Sequence, residues 1–89
     1  MIYNLYCIKD KKSEFAAPVP VKDDAQARRW FDNQIKTNPF MTEYKEDFDL
    51  YRVGTFDTEE GCAKGLDYKN EFIMSGMEVN VNVNTENTI

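Results

Sequence analysis

Apolar residues fall into two strand-like segments that flank one amphipathic helix. Residues 2–9 are rich in β-branched and aromatic side chains, with apolar residues at both odd and even positions, which predicts a strand covered on both faces. Residues 48–56 alternate along a second predicted core strand. Residues 15–21 contain two prolines, so we expect them to stay extended at a sheet edge, as the second strand of a hairpin that turns at residues 10–13.

The helix pattern begins after Asp23, a good N-cap residue that is followed three positions later by Gln26. Asn38 and Pro39 predict its end, so the helix should cover residues 23–36. Its apolar side chains recur at steps of three and four residues and should pack across the sheet. They are Ala27, Trp30, Phe31 and Ile35.

The remaining segments carry weaker patterns. Residues 40–47 are interpreted as a polar, acidic connection, and residues 62–77 as one or two short strands. Residues 79–89 form a tail, either an edge strand or a disordered arm. We therefore predict an α+β fold, a small antiparallel sheet of three to five strands with one helix packed on one face, in a single domain over residues 1–78.

Size and composition support one modest core. The chain has 89 residues, of which 42% are hydrophobic and 13% aromatic, enough for a single domain. Cys7 and Cys62 are too few for a disulfide framework, so both should be reduced thiols. Without a long apolar run or a basic leader, the protein is expected in the cytoplasm of the cell that makes it, away from membranes.

Residues that usually carry catalysis are scarce. Histidine, the commonest general base and transition-metal ligand, does not occur in the sequence. The four glycines form no phosphate-binding loop, and the carboxylates of residues 43–49 match no metal-binding loop. We therefore expect a binding protein rather than an enzyme, with no cofactor and no metal.

Charge is divided unevenly along the chain. Residues 1–36 hold seven basic and five acidic side chains, a balance of +2, whereas the rest holds four basic and eleven acidic ones, a balance of −7. A polyanion should therefore bind to residues 1–36, where the balance of charge is positive. Its cations lie near aromatic residues, a pairing that is typical of single-strand binding, although Trp30 also fits a core position. The candidate nucleic-acid-binding residues are Lys9, Lys11, Lys12, Arg28, Arg29 and Lys36.

Two short motifs, held at a fixed separation, resemble a known family. They read MIYxLYxIxD at residues 1–10 and EDFDLYxxGxFD at residues 46–57. Together they resemble the small nonstructural protein of gokushoviruses, the single-stranded DNA microviruses that include phages of Chlamydia. The likeness covers roughly residues 1–60. It implies a DNA-binding protein that acts in the switch from double-stranded replication toward single-stranded DNA synthesis and packaging.

Two functional hypotheses follow. The first is a phage nonstructural protein that binds single-stranded DNA or the replication and packaging complex through its basic residues. The second is an acidic interaction module, whose carboxylates stand in for DNA phosphates and dock on a basic surface of a host or viral replication protein. In either case a small sheet with one helix leaves edges and a face open, which favours a homodimer through an edge or through the uncovered face.

Overall fold

A computed structural model describes residues 1–81, which form a five-stranded antiparallel sheet with helices on one side. The strands are β1 (Ile2–Asp10), β2 (Val19–Val21), β3 (Phe48–Asp57), β4 (Cys62–Gly65) and β5 (Glu71–Ser75). The helices are α1 (Asp24–Thr37) and α2 (Pro39–Glu43). Two 3₁₀ turns lie at Lys45–Asp47, after α2, and at Gly76–Glu78, after β5. The predicted α+β class is confirmed.

Strand β3 organises the sheet. One edge of β3 pairs with β1 along the full length of both strands, and the other edge pairs first with β5 and then with β4. Strand β2 pairs with the free side of β1, giving the order β2-β1-β3-β4. The register slips once in the β1–β3 ladder, where Val53 is the extra residue, and once in the β3–β5 ladder, at Ile73. Each slip is a β-bulge that bends the sheet.

Helix α1 begins and ends near the residues that the sequence indicated. The Asp23 side chain accepts a hydrogen bond from the Gln26 backbone N–H at 2.9 Å, which caps the first turn. Ala27, Phe31 and Ile35 are fully buried against the sheet. Trp30 differs from this expectation, because it is only partly buried and packs at the margin of the core. Phe31 is therefore the large aromatic anchor of the helix.

The prediction of a polar connection at residues 40–47 was wrong. The Asn38 side chain accepts hydrogen bonds from the backbone N–H groups of Phe40 and Met41, at 3.0 and 3.3 Å. This cap starts α2 with Pro39 in the first turn, a position where proline is favoured because no N–H is needed. Asn38 and Pro39 therefore end one helix and begin another, and Met41 reaches the core.

The core lies between the sheet and the two helices. It includes Tyr6 and Leu50 from the central strands and Ile73 and Met74 from β5. Val79 is buried in the same cluster, and Val81 packs against it. The predicted tail starts at residue 79, and its part from residue 82 onward lies outside the described residues.

Candidate nucleic-acid interface

The sheet has one face under the helices and one face without them. Tyr6 and Leu50 lie in the core with the buried side chains of α1 and α2. Because successive strand residues point to opposite faces, Cys7 and Tyr51 lie on the other side, where they are paired in register. Phe72 follows on β5 as the partner of Tyr51. We call this side of the sheet the open face.

Three aromatic rings stand in a row across the open face. The rings of Phe15 and Tyr51 are 5.5 Å apart between centroids, and those of Tyr51 and Phe72 are 5.7 Å apart. Both contacts are edge-to-face, with interplanar angles of 71° and 77°, a geometry that stabilises aromatic pairs. Phe15 is 40% exposed and Phe72 is 52% exposed. This aromatic row therefore presents exposed ring surface to solvent.

Two lysines stand at one end of the aromatic row. Lys9 Nζ lies 4.9 Å from the centroid of the Phe15 ring, a cation–π contact. Lys11 Nζ donates a hydrogen bond to the Glu46 backbone carbonyl at 3.0 Å and lies 3.8 Å from Asp49 Oδ1. The open face thus joins rings and positive charge.

Asp49 is a buried acidic residue next to Lys9 and Lys11. It is 6% exposed, and its register partner across the β1–β3 ladder is Lys9. Its Oδ1 accepts no hydrogen bond from the described residues, so the attraction of the nearby Lys11 ammonium is what compensates the burial of the carboxylate.

The six predicted cations do not form one surface. Lys9 and Lys11 belong to the open face, and Lys12 lies at the hairpin tip, 4.0 Å from Asp47. The three cations of α1 lie over the opposite side of the sheet. Arg28 Nη2 donates to the Ile73 carbonyl at 3.1 Å, and Lys36 pairs with Asp32 at 3.0 Å.

Arg29 differs from the other helix cations. It is exposed and has neither a hydrogen bond nor an ion pair within residues 1–81. It borders a shallow depression with Trp30 and Asn33. A ligand that needs an uncommitted cation on α1 would find it at Arg29.

Of the aromatic residues close to the cations in sequence, Tyr6 is not available for stacking on a ligand. Tyr6 is fully buried, and its hydroxyl donates to Asp24 Oδ1 at 2.5 Å while accepting from Asn4 Nδ2 at 3.0 Å. The aromatic row was missed. The alternation of residues 48–56 does place Tyr51 opposite Leu50, but the position of Phe72 depends on the bulge at Ile73, which no local pattern indicates.

The cysteines are not bonded to each other. Cys7 is buried in the open face and Cys62 is exposed on β4, and burial raises the pKa of the Cys7 thiol. Residues 1–81 contain no group of three side chains that could hold a metal ion. In the same residues, neither helix has the length and apolar character needed to cross a membrane.

The chain matches a known family. A family model described as "Phage ORF5 protein" matches residues 3–79, which contain all five strands except Ile2, both helices, the motif at residues 46–57 and all but the first two residues of the motif at residues 1–10. No curated protein and no solved structure matches the chain significantly.

Proposed function

This chain belongs to the Phage ORF5 protein family, and we propose that it is a phage nonstructural protein that binds single-stranded DNA across the open face. The proposal rests on one observation, the aromatic row with Lys9 and Lys11 at its end. Its site of action would be the host cytoplasm, during single-stranded DNA synthesis and packaging.

Stacking is the first part of the argument. Unpaired bases expose both π-faces, and their stacking on protein aromatic rings contributes roughly 1–3 kcal/mol per base. Phe15 and Phe72 flank Tyr51 on the open face, so a strand laid across the ladder direction would meet one ring after another. Duplex DNA offers no free base faces to such a platform, which favours the single strand.

Charge is the second part. The whole chain carries a net charge of −5, so binding through phosphates alone would be weak. Lys9 and Lys11 put positive charge beside the rings, where it can meet the backbone of a stacked strand. The expected complex therefore depends more on stacking than on charge and should have a shallow salt dependence.

The first test truncates an exposed ring. Phe72→Ala removes a half-exposed side chain, so the fold should remain while the affinity for labelled single-stranded DNA falls by about 1–3 kcal/mol. Phe40→Ala is the matched control, because Phe40 is 59% exposed but lies on α2, away from the open face. Equal loss in both variants, or none in either, would overturn the proposal.

The second test uses salt dependence to locate the phosphate contacts. Lys9→Gln should reduce the slope of log affinity against log salt by about 0.7, the value for one phosphate contact to a single strand. Lys64→Gln, an exposed lysine on β4, should leave the slope unchanged. Arg29→Glu separates the two surfaces: a large loss of affinity in this variant would assign DNA to α1 and contradict the open-face proposal.

A further inference from the structure

A groove on the helix side of the molecule shares only Phe15 with the proposed DNA contact. Its larger part has a volume of about 380 Å³ and lies between the extended segment at residues 14–19 and the helices. A smaller part of about 180 Å³ continues from it toward α2. The two parts share the lining residues Asp10 and Phe48, so they lie next to each other.

The groove floor is apolar. Ile8 and Phe48 come from the central strands, and Trp30 and Met41 come from the two helices. At the narrow end the exposed ring of Phe40 lies 6.1 Å from the Phe48 ring and 5.0 Å from that of Tyr44. A surface of this kind gains free energy by taking apolar side chains out of water.

The charged residues of the groove are acidic in balance. Asp10 and Glu14 line the larger part, and Asp10 and Asp47 line the smaller part. Lys12 is the only basic lining residue of either part, and its ammonium is already 4.0 Å from Asp47. DNA phosphates would be repelled here, whereas lysine or arginine side chains would be attracted.

We infer that this groove is a docking site for a basic and apolar peptide segment of a partner protein. Apolar side chains of the segment occupy the floor between Trp30, Met41 and Phe48, and flanking lysine or arginine side chains face the carboxylates of Asp10, Glu14 and Asp47. The inference does not depend on DNA binding, because the residues of the groove floor and its carboxylates are not part of the aromatic row; of the row, only Phe15 also lines the groove. Together they would join a nucleic acid to a protein partner.

Trp30 provides a direct readout, since it is the single tryptophan of the chain and lines the groove. The probe is a short synthetic peptide of alternating leucine and lysine with blocked ends, and its control replaces every lysine with glutamate. The leucine–lysine peptide should change the Trp30 emission in a saturable way, and the leucine–glutamate peptide should not. Equal binding of both peptides, or no change with either, would overturn the inference.

Two charge-reversal variants test where the peptide binds. Glu14→Lys changes an exposed side chain at the groove and should weaken the leucine–lysine peptide about five- to tenfold, since one attraction becomes a repulsion. Glu60→Lys makes the same change of charge in the turn between β3 and β4 and should leave the affinity unaltered. Equal weakening in both variants would show a nonspecific charge effect and contradict the groove.

Ala17→Phe tests the apolar part of the groove. Ala17 is an exposed residue in the wall of the larger part of the groove. A phenylalanine ring at this position would fill space that a leucine side chain of the peptide would otherwise occupy. Peptide affinity should fall while single-stranded DNA binding stays at the wild-type level. Unchanged peptide binding would place the peptide elsewhere on the molecule.

Discussion

Tyr6 couples the core to the first turn of α1. Its side chain is fully buried, and burial, followed by the hydrogen bond donated to Asp24, raises the pKa of Tyr6 to about 12. A tyrosine in the unfolded chain has a pKa of about 10. The folded state therefore retains the proton of the Tyr6 hydroxyl to higher pH than the unfolded state does. Ionisation of Tyr6 consequently favours unfolding.

This linkage predicts a loss of stability at alkaline pH. The contribution of Tyr6 is fully present below about pH 10 and is lost as the pH rises toward about 12, a change of about 2–3 kcal/mol. Urea unfolding across that range should show a steeper fall for the wild type than for Tyr6→Phe. Tyr68→Phe, at a 95% exposed position, is the control and should follow the wild type; a parallel fall in all three proteins would contradict the prediction.

Phe31 and Trp30 are adjacent aromatic residues with different burial. Phe31 has no exposed surface and Trp30 is partly exposed at the groove. Phe31→Ala should therefore cost about 3–5 kcal/mol of unfolding free energy, as is usual for a buried ring. Trp30→Ala should cost clearly less, about 1–2 kcal/mol. The reverse order in urea unfolding would show that Trp30, as its helical spacing suggests, is the principal anchor.

Two neighbouring glycines make the junction of β3 with β4 testable. A Cβ on Gly54 would overlap the Lys64 carbonyl oxygen, whereas a Cβ on Gly65 would meet only the Val53 carbonyl oxygen, at 3.9 Å. Gly54→Ala should force the strands apart and cost about 1–3 kcal/mol. Gly65→Ala, the same substitution in the paired position, should be nearly neutral. Equal melting temperatures for the two variants would contradict this account.

The elements with strong periodicity could be predicted from the sequence. Strand β1, helix α1 and strand β3 combine clear apolar patterns with caps or turns, and each formed close to its expected bounds. Helix α2 could not be predicted this way, because five residues are too few to show a helical period. In the sequence alone, Pro39 indicates only the end of the preceding helix. The strands of residues 62–77 were expected but not separated, since β4 exposes every residue and has no alternation.

The open face shows why the site was harder to predict than the fold. Lys9 and Lys11 were identified from charge, but the rings beside them come from three distant segments. Phe15 precedes β2, Tyr51 lies on β3 and Phe72 lies on β5. Their alignment depends on strand order and on the bulge at Ile73, which are products of tertiary packing rather than of local sequence.

At the scale of the whole molecule, the outer edge of β4 favours association. All four residues of β4 are exposed, whereas the opposite edge, β2, is only three residues long and contains Pro20. Leu66 N–H donates to the Val53 carbonyl at 3.3 Å. In the alternating antiparallel pattern this directs the N–H group of Ala63 away from β3, toward a second strand.

We therefore predict a homodimer joined through the β4 edges. Sedimentation equilibrium of the wild type should show a concentration-dependent dimer, and Ala63→Pro, which removes an outward-facing N–H, should shift it toward monomer. Circular dichroism should confirm that the variant remains folded. A wild-type monomer at every concentration, or an unchanged dimer in Ala63→Pro, would contradict pairing through this edge.

The long β1–β3 ladder also decides when the protein can fold during synthesis. Ile2 pairs with Asp57, and the N-terminal ammonium donates to the Thr58 hydroxyl at 3.1 Å. During synthesis β1 therefore waits for β3, which comes later in the chain, with only the short β2 to pair with meanwhile. Pairings this distant in sequence carry a large loop-closure entropy and slow folding. A nascent chain that ends before Phe48 would leave one edge of β1 unpaired. The emergence of β3 from the ribosome, rather than local helix formation, should therefore set the moment at which the native sheet appears.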